Sequence, residues 1–300
     1  MTGPMHDDEV STSVDLVARL VAEQFPQWAG LPIRPVRSAG TDHAIYRLGE
    51  EMSVRLPLRP SAAGQVEKEQ LWLPRLAPHL PCPISRPLGL GAPGQDYPWN
   101  WSVCAWLRGD NPTADDDATG WAEDLARFVA ALHAVDPTGG PPPGQHNFGR
   151  GVPLAQRDDY TRKAIAKSEG LIDTEAATAA WAADLAAPAW TEAPVWVHGD
   201  ICPGNLLVAD GRLAAVIDFG GLAVGDPACD LIVVWNLLSG PAREVYRAAL
   251  GVDDATWARG RGWALSVALV QLPYYQHTNP VLAANSRLTI AAVLADHGLA

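Results

Sequence analysis

The chain has 300 residues, 48% of them hydrophobic, ample for a packed core in one large domain or two smaller ones. Thirty-four acidic residues against 22 basic ones leave a net charge of −12. That balance speaks against nucleic acid and anionic membrane surfaces, which require basic footprints, and it is compatible with small cationic substrates. Cys82, Cys104, Cys202 and Cys229 form no C-x-x-C pair and no metal-site spacing, so reduced thiols in a cytoplasmic protein are expected. The acidic start, MTGPMHDDEV, lacks a signal-peptide core, and no apolar run approaches membrane-spanning length.

Thr12 and Asp15 read as a capping box for an opening helix, with Val14, Val17, Leu20 and Val21 at helical spacing. Two strands are expected at 44–48 and 52–56, joined by Gly49-Glu50-Glu51. The segment before them, Ser38-Ala39-Gly40-Thr41-Asp42-His43, is either a turn or a loop whose small residues let backbone N–H groups approach a phosphate. Arg55, in the second strand, suits a phosphate and a carboxylate bidentately, or an exposed strand position. A helix is expected over 65–76, kinked or stopped early by Pro74. Its Glu67 and Glu69 are both candidate partners for Arg55, or simply a solvated face. Loops around a short strand fill 81–94, and an apolar strand covers 99–107, where Trp101 and Trp106 read as packing residues. Asp115-Asp116-Asp117 reads as a solvated helix start. Trp121, Leu125, Phe128, Val129 and Leu132 then form a core-facing stripe, and His133 at the helix end is read as structural. A loop over 136–151 and helical stretches at 154–168 and 174–186 follow.

The stretch 195–231 carries the chemistry. Apolar runs at 195–197 and 206–208 surround His198-Gly199-Asp200 and Asn205; Asp210-Gly211 is a natural hairpin turn; a third run, 213–217, delivers Asp218-Phe219-Gly220. Asp200 and Asn205 have the spacing of the kinase catalytic loop H-R-D-x-x-x-x-N, and D-F-G begins with the aspartate that holds magnesium in those enzymes. Moving a phosphoryl group needs positioning and neutralisation of spread negative charge. Magnesium takes hard oxygen ligands, which Asp218 and Asn205 supply, and Asp200 is then free to accept the proton of an attacking hydroxyl. D-F-G alone is a weak signal; the ordered set around a hairpin is a strong one. Beyond it, Pro227 and Asp230 open a helix with Leu231, Val234, Trp235 and Leu238, and helices are expected at 242–250, 257–275 and 280–295. Trp263, Tyr274, Tyr275 and His277 either line an acceptor pocket facing Asp200 or are core, with core expected for most of them.

HGDICPGN, VIDFG and GDPACDL together resemble the aminoglycoside phosphotransferase family, kinase relatives that phosphorylate small molecules. The N-terminal half is most similar to the macrolide and 2''-aminoglycoside branches, and the resemblance runs from about Arg37 to the last helix. It implies an α+β, bilobal, protein-kinase-like fold. A small antiparallel-sheet lobe with the nucleotide site and hinge would occupy 1–107, and a larger, mainly helical catalytic and substrate-binding lobe 108–300. Residues 221–224 alone separate D-F-G from Gly225-Asp226-Pro227, so no long activation loop exists to dock a protein substrate.

The resemblance also implies roles. Ser38, Gly40 and Thr41 fall where the phosphate loop belongs. Arg55 takes the place of the kinase strand lysine, since Lys68, Lys163 and Lys167 all lie off the strands, and Glu69 matches the partner position better than Glu67. Adenine would meet backbone near Val103, Cys104 and Trp106. Asp200 is the implied base, Asn205 and Asp218 the magnesium ligands, and His198, Asp226 and Asp230 braces for the catalytic loop. The implied activity is transfer of the γ-phosphate of ATP or GTP, with Mg2+, to a hydroxyl of a small molecule such as an aminoglycoside or macrolide antibiotic, conferring resistance. The same motif would serve a metabolic kinase of an amino alcohol or sugar. The absent strand lysine leaves a nucleotide-binding module without catalysis as a further alternative, against which all three site residues speak.

Overall fold

Two separate apolar clusters divide the chain into two lobes in the computed structural model, which describes residues 9–36, 42–113 and 116–299. In the smaller lobe, Leu16, Val17, Leu20 and Val21 of helix α1 (Val14–Gln24) pack against Tyr46, Leu48, Val54, Leu56, Trp101 and Val103. These last six belong to an antiparallel sheet of β1 (Ile33–Pro35), β2 (His43–Leu48), β3 (Met52–Pro57), β4 (Pro87–Gly91) and β5 (Trp101–Ala105), in the order β1-β2-β3-β5-β4. Helix α1 is capped one residue later than its capping box suggests: Ser13 Oγ accepts from the Leu16 N–H at 3.1 Å, and Thr12 Oγ1 instead accepts from the Tyr46 hydroxyl at 2.9 Å. The β2–β3 turn forms at Gly49, whose φ of +58° is the left-handed conformation that glycine adopts without a Cβ penalty.

Helix α2 (Pro60–Leu76) starts earlier than expected, because Pro60 fits the first turn, where its missing N–H costs nothing. Pro74 does not stop it; the Ala77 N–H still closes on the Leu73 carbonyl. Its buried face mixes Val66, Leu73 and Leu76 with Gln65 and Glu69, so apolar periodicity alone underestimates it.

The larger cluster takes in Leu73 and Leu76 of α2 and Ile84, and continues into α3 (Thr119–Ala134), where the Asp117 carboxylate caps the Thr119 N–H at 3.0 Å. Trp121, Leu125, Phe128, Val129 and Leu132 are all buried in its core. Helices α4 (Asp158–Lys167) and α5 (Thr174–Leu185) follow, α4 entered through a 3-10 turn at Leu154–Arg157. Strand β6 (Val195–Val197) pairs with β9 (Ala223–Gly225), while β7 (Leu206–Ala209) and β8 (Arg212–Val216) form the hairpin. Its turn residues, Asp210 and Gly211, have φ of +51° and +72°, as a two-residue hairpin turn matching strand twist requires. A 3-10 segment, Pro227–Ile232, takes most of the helix expected after D-F-G and leaves a short α6 (Val233–Asn236). Helices α7 (Gly240–Leu250), α8 (Asp254–Tyr275) and α9 (Pro280–Asp296) complete the lobe.

Trp263 is fully buried, as a core residue should be, but Tyr274 is 56% exposed and His277 is exposed too. Tyr274 and Tyr275 close the last turn of α8 by packing edge-to-face on each other at 4.8 Å. All four cysteines are free. Among the described residues, no helix is long and apolar enough to cross a membrane.

Candidate active site

The HGD turn after β6 is held by its own backbone groups. Asp230 Oδ1 accepts from the Gly199 N–H at 2.7 Å and Oδ2 from the His198 N–H at 3.1 Å, with His133 Nε2 3.0 Å from the same Oδ2. His198 Nδ1 accepts from the Asp200 N–H and Nε2 lies within hydrogen-bond reach of the Ile217 carbonyl, both at 3.2 Å. Those partners place a ring proton on Nε2, tying HGD to the strand that ends in D-F-G. The ring also packs on Phe219 at 4.5 Å. His198 and Asp230 thus both sit under the catalytic loop. Asp226 does not: it accepts from the Ala228 N–H at 3.0 Å and from Arg259 Nε of α8 at 3.0 Å, so it anchors α8 and not the loop.

Asn205 Nδ2 donates to the Asp200 carbonyl at 2.9 Å and to Asp200 Oδ2 at 3.2 Å, which turns Asn205 Oδ1 away from Asp200. Asp218, at φ +62°, occupies the left-handed region, and its Oδ1 accepts from Gly220 N–H at 3.3 Å and Arg55 Nη2 at 3.2 Å. Asn205 Oδ1 and Asp218 Oδ2 remain as hard oxygen donors. Magnesium takes one or two such protein oxygens and completes its shell with phosphate and water, so this donor set fits it. Among the described residues there is no group of three or more His, Cys, Asp or Glu that could hold a metal ion.

Charge in the cleft separates the two aspartates. Burial in the cleft pushes the Asp200 carboxyl up, Arg150 opposes that and Asp218 adds to it, leaving it above the usual carboxylate range. Burial would raise Asp218 as well, but Arg55, His43 and the Gly220 N–H together outweigh it and hold the group below that range. The raised carboxyl is the better proton acceptor and the lowered one the better permanent anion.

Arg55 joins the lobes. Its Nη1 donates to Glu69 Oε2 at 2.8 Å and its Nη2 to Asp218 Oδ1 at 3.2 Å, spanning β3, α2 and the D-F-G turn. Glu69 is therefore the partner; Glu67 instead accepts from Asn100 Nδ2 at 2.6 Å on the surface. Glu69 Oε1 is buried without a hydrogen-bond partner, so the pair has acceptor capacity left over.

The structure adds residues that no local pattern marks. Lys68 of α2 reaches the Gly220 carbonyl at 2.6 Å and that of Leu222 at 3.2 Å. Asn111 donates from Nδ2 to the carbonyls of Gly204 at 3.0 Å and Leu206 at 2.8 Å, fixing the catalytic loop from the segment after β5. Fully buried Asn147 donates to the carbonyls of Arg150 at 2.8 Å and Gly221 at 3.1 Å. Arg150 Nη2 lies 3.7 Å from Asp200 Oδ1. A proline- or glycine-rich loop announces itself in sequence; the reach of one asparagine within it does not.

Ser38, Gly40 and Thr41 lie outside the described residues. Beside them, Asp42 accepts from Arg59 at 2.8 Å and Gln65 at 3.1 Å, which fastens the loop's end to α2. At the hinge, Val103 and Cys104 are inside a strand paired on both sides, and the Trp106 N–H donates to the Glu51 carbonyl at 2.8 Å. The Trp106 ring lies 4.0 Å from the Arg47 guanidinium. Sheet pairing thus engages backbone of the hinge segment expected to meet adenine.

A family model described as the phosphotransferase enzyme family matches residues 33–263. A curated aminoglycoside 3'-phosphotransferase of Escherichia coli is 42% identical over 45 residues, covering 15% of this chain and 17% of that protein. The matched stretch therefore spans about a sixth of that relative's length. Among solved structures, the GDP complex of wild-type aminoglycoside 2'-phosphotransferase-IIIa superposes with a TM-score of 0.76 at 18% identity, covering 95% of this chain and 100% of that one. A macrolide 2'-phosphotransferase from Brachybacterium faecium superposes with a TM-score of 0.61 at 24% identity, covering 93% and 97%. At these identities the likeness is one of fold.

Proposed function

Since the chain belongs to the phosphotransferase enzyme family, we propose that it moves the γ-phosphate of ATP or GTP to a hydroxyl of a small molecule, with Asp200 as the base. The observation that carries this reading is the convergence of Asp200, Asn205 and the Arg55–Asp218 contact at the lobe junction. Asp200 takes the proton as the acceptor oxygen bonds to the γ-phosphorus and the bond to the β-phosphate oxygen breaks, releasing a nucleoside diphosphate. Asn205 orients Asp200 through Oδ2 and, with Asp218, would hold magnesium. That ion, when bound, supplies neutralisation of the phosphate charge. Arg55 meets the donor phosphates from β3, doing with a forked guanidinium what a strand lysine does in protein kinases. Backbone from Leu107 onward is the proposed contact for the base. Similarity to proteins named for aminoglycosides and a macrolide supports a hydroxylated small molecule, antibiotics among them, as acceptor.

The test is mass spectrometry of purified protein with magnesium, ATP or GTP, and a panel of aminoglycosides, macrolides, amino alcohols, sugars and sugar acids. A gain of one phosphate on an acceptor is expected. Asp200→Asn should slow it by about 10²–10⁴-fold, the usual worth of a general base, with nucleotide affinity retained. Failure to bind either nucleotide would sink the reading.

A further inference from the structure

Positive charge, not negative, stands beside Asp200 on the side away from Asn205. Asn205 occupies Asp200 Oδ2, and Arg150 approaches Oδ1 at 3.7 Å. The Arg150 guanidinium lies 5.9 Å from the Trp263 ring centroid, and that of Arg157 lies over the same ring at 4.8 Å. Arg157 Nε donates to Ser266 Oγ at 2.9 Å, and that hydroxyl shares a 2.7 Å hydrogen bond with Thr161 Oγ1, so α8 and α4 together fix the head group. The arrangement is built, not a pair of loose surface side chains: Arg150 is buried and Arg157 half-buried.

Among the described residues, no carboxylate other than Asp200 pairs with either arginine. Among the described residues, Arg150 forms its ion pair with Asp200 itself, and Arg157 forms none. The acids nearest in sequence are engaged elsewhere: Asp158 accepts from Arg162 and from Trp181, both at 2.7 Å, and Asp159 from Lys163 at 2.6 Å. Burial, and then the nearness of Arg150, push the Arg157 guanidinium down to about 10, so it is still charged at neutral pH. Two like charges over one ring, one buried and one half-buried, with Asp200 beside the first alone, destabilise the fold unless a further anion joins them.

We infer that Arg150 and Arg157 form an oxyanion-binding subsite for the acceptor, so that the molecule phosphorylated carries a carboxylate or comparable oxyanion near its reacting hydroxyl. The inference rests on the phosphotransferase reading and narrows it. A guanidinium pair offers forked donors that match a carboxylate bidentately, and it repels the ammonium groups of a polycationic acceptor. The net charge of −12, which favours cations at long range, is thus reversed locally at the base. Positioning of Asp200 alone would need Arg150 and not Arg157.

The test measures equilibrium binding of D-gluconate and D-glucuronate against the uncharged sorbitol and glucose, and of kanamycin, to the full chain with and without Mg·ADP. The acids are expected to bind about tenfold more tightly than the matched polyols, the worth of one charged hydrogen-bond pair. Arg157→Gln should remove that preference and Arg157→Lys retain part of it, with ADP affinity and melting temperature as folding controls. In turnover, Arg150→Gln and Arg157→Gln should raise the acceptor KM more than they lower kcat. Equal binding of acids and polyols, no binding of either acid, or kanamycin held more tightly than the acids and indifferent to Arg157→Gln, would each overturn the subsite. Because this binding is also read without nucleotide, the subsite stands or falls separately from phosphoryl transfer.

Discussion

Arg55 and Glu69 form an ion pair at 2.8 Å with side chains only 7% and 5% exposed, and the same guanidinium reaches Asp218 at 3.2 Å. Burying two charges is costly, and removing one partner leaves the other uncompensated. Glu69→Ala is therefore expected to destabilise the protein by about 3 kcal/mol, read as a shifted denaturation midpoint. Arg55→Lys keeps the charge but offers a single point donor, which cannot fork between Glu69 and Asp218. It should lower nucleotide affinity more than it lowers stability, measured by ADP titration beside a melting curve. An Arg55→Lys protein with unchanged ADP affinity would remove Arg55 from the donor site.

Gly199 and Gly221 lie back to back. A Cβ on Gly199, at φ +78°, would meet the Gly221 carbonyl oxygen at 2.5 Å, and one on Gly221 would meet that of His198 at 2.7 Å. Both obstacles are backbone, so neither can rotate away. Gly199→Ala must push the catalytic loop off the D-F-G segment. A shift of about 1 Å is enough to cost roughly 10²-fold in turnover. Steady-state kinetics should show that loss in kcat, and full activity in Gly199→Ala would mean the loop tolerates displacement.

What could be read from sequence is what local spacing dictates. Asp200, Asn205 and Asp218 sit at fixed offsets around a hairpin whose turn, Asp210-Gly211, is itself a sequence signal, so their convergence follows once the hairpin forms. The α3 stripe is legible for the same reason. Lys68, Asn111, Asn147, Arg150 and Arg157 are not, because their partners lie far along the chain and are met only once the chain has folded. The start of α2 escaped because Ser61-Ala62-Ala63-Gly64 carries no apolar period. Tyr274 escaped for the opposite reason: an aromatic in an apolar helix reads as core, yet it sits 56% exposed on the last turn of α8.

Lys68 links α2 to the carbonyls of Gly220 and Leu222, and His146 Nδ1 lies 3.2 Å from the same ammonium. Charged hydrogen bonds of this kind contribute about 1.5–3 kcal/mol each when partly buried. Lys68→Met keeps the aliphatic stem and removes the head. It should destabilise the fold by about 2 kcal/mol and loosen the D-F-G turn, visible as faster amide exchange at Leu222. Unchanged exchange at that residue would mean that Asn147, which also holds the Gly221 carbonyl, suffices alone.

His43 opens β2 and is 8% exposed, facing Arg55 together with Asp218 and Asp42. Burial, and then the Arg55 charge, lower it from 6.5 to about 4, the two aspartates opposing. At neutral pH the ring is therefore uncharged, which leaves Arg55 as the cation that holds Asp218 ionised. Between about pH 6.5 and 4 the unfolded chain binds a proton at this position that the folded chain refuses, so stability falls as pH drops through that window. At about 1.4 kcal/mol per unit, the loss comes to roughly 3 kcal/mol. Glu69 and Asp200, both raised by burial, act in the opposite sense above the usual carboxylate range, so the wild-type curve alone mixes the effects. Subtracting the curve of His43→Gln isolates the histidine. Chemical denaturation of both proteins from pH 7 to 4 should give curves that converge as pH falls, the wild type losing more. Parallel curves would mean that His43 takes up its proton in the folded state as readily as in the unfolded one.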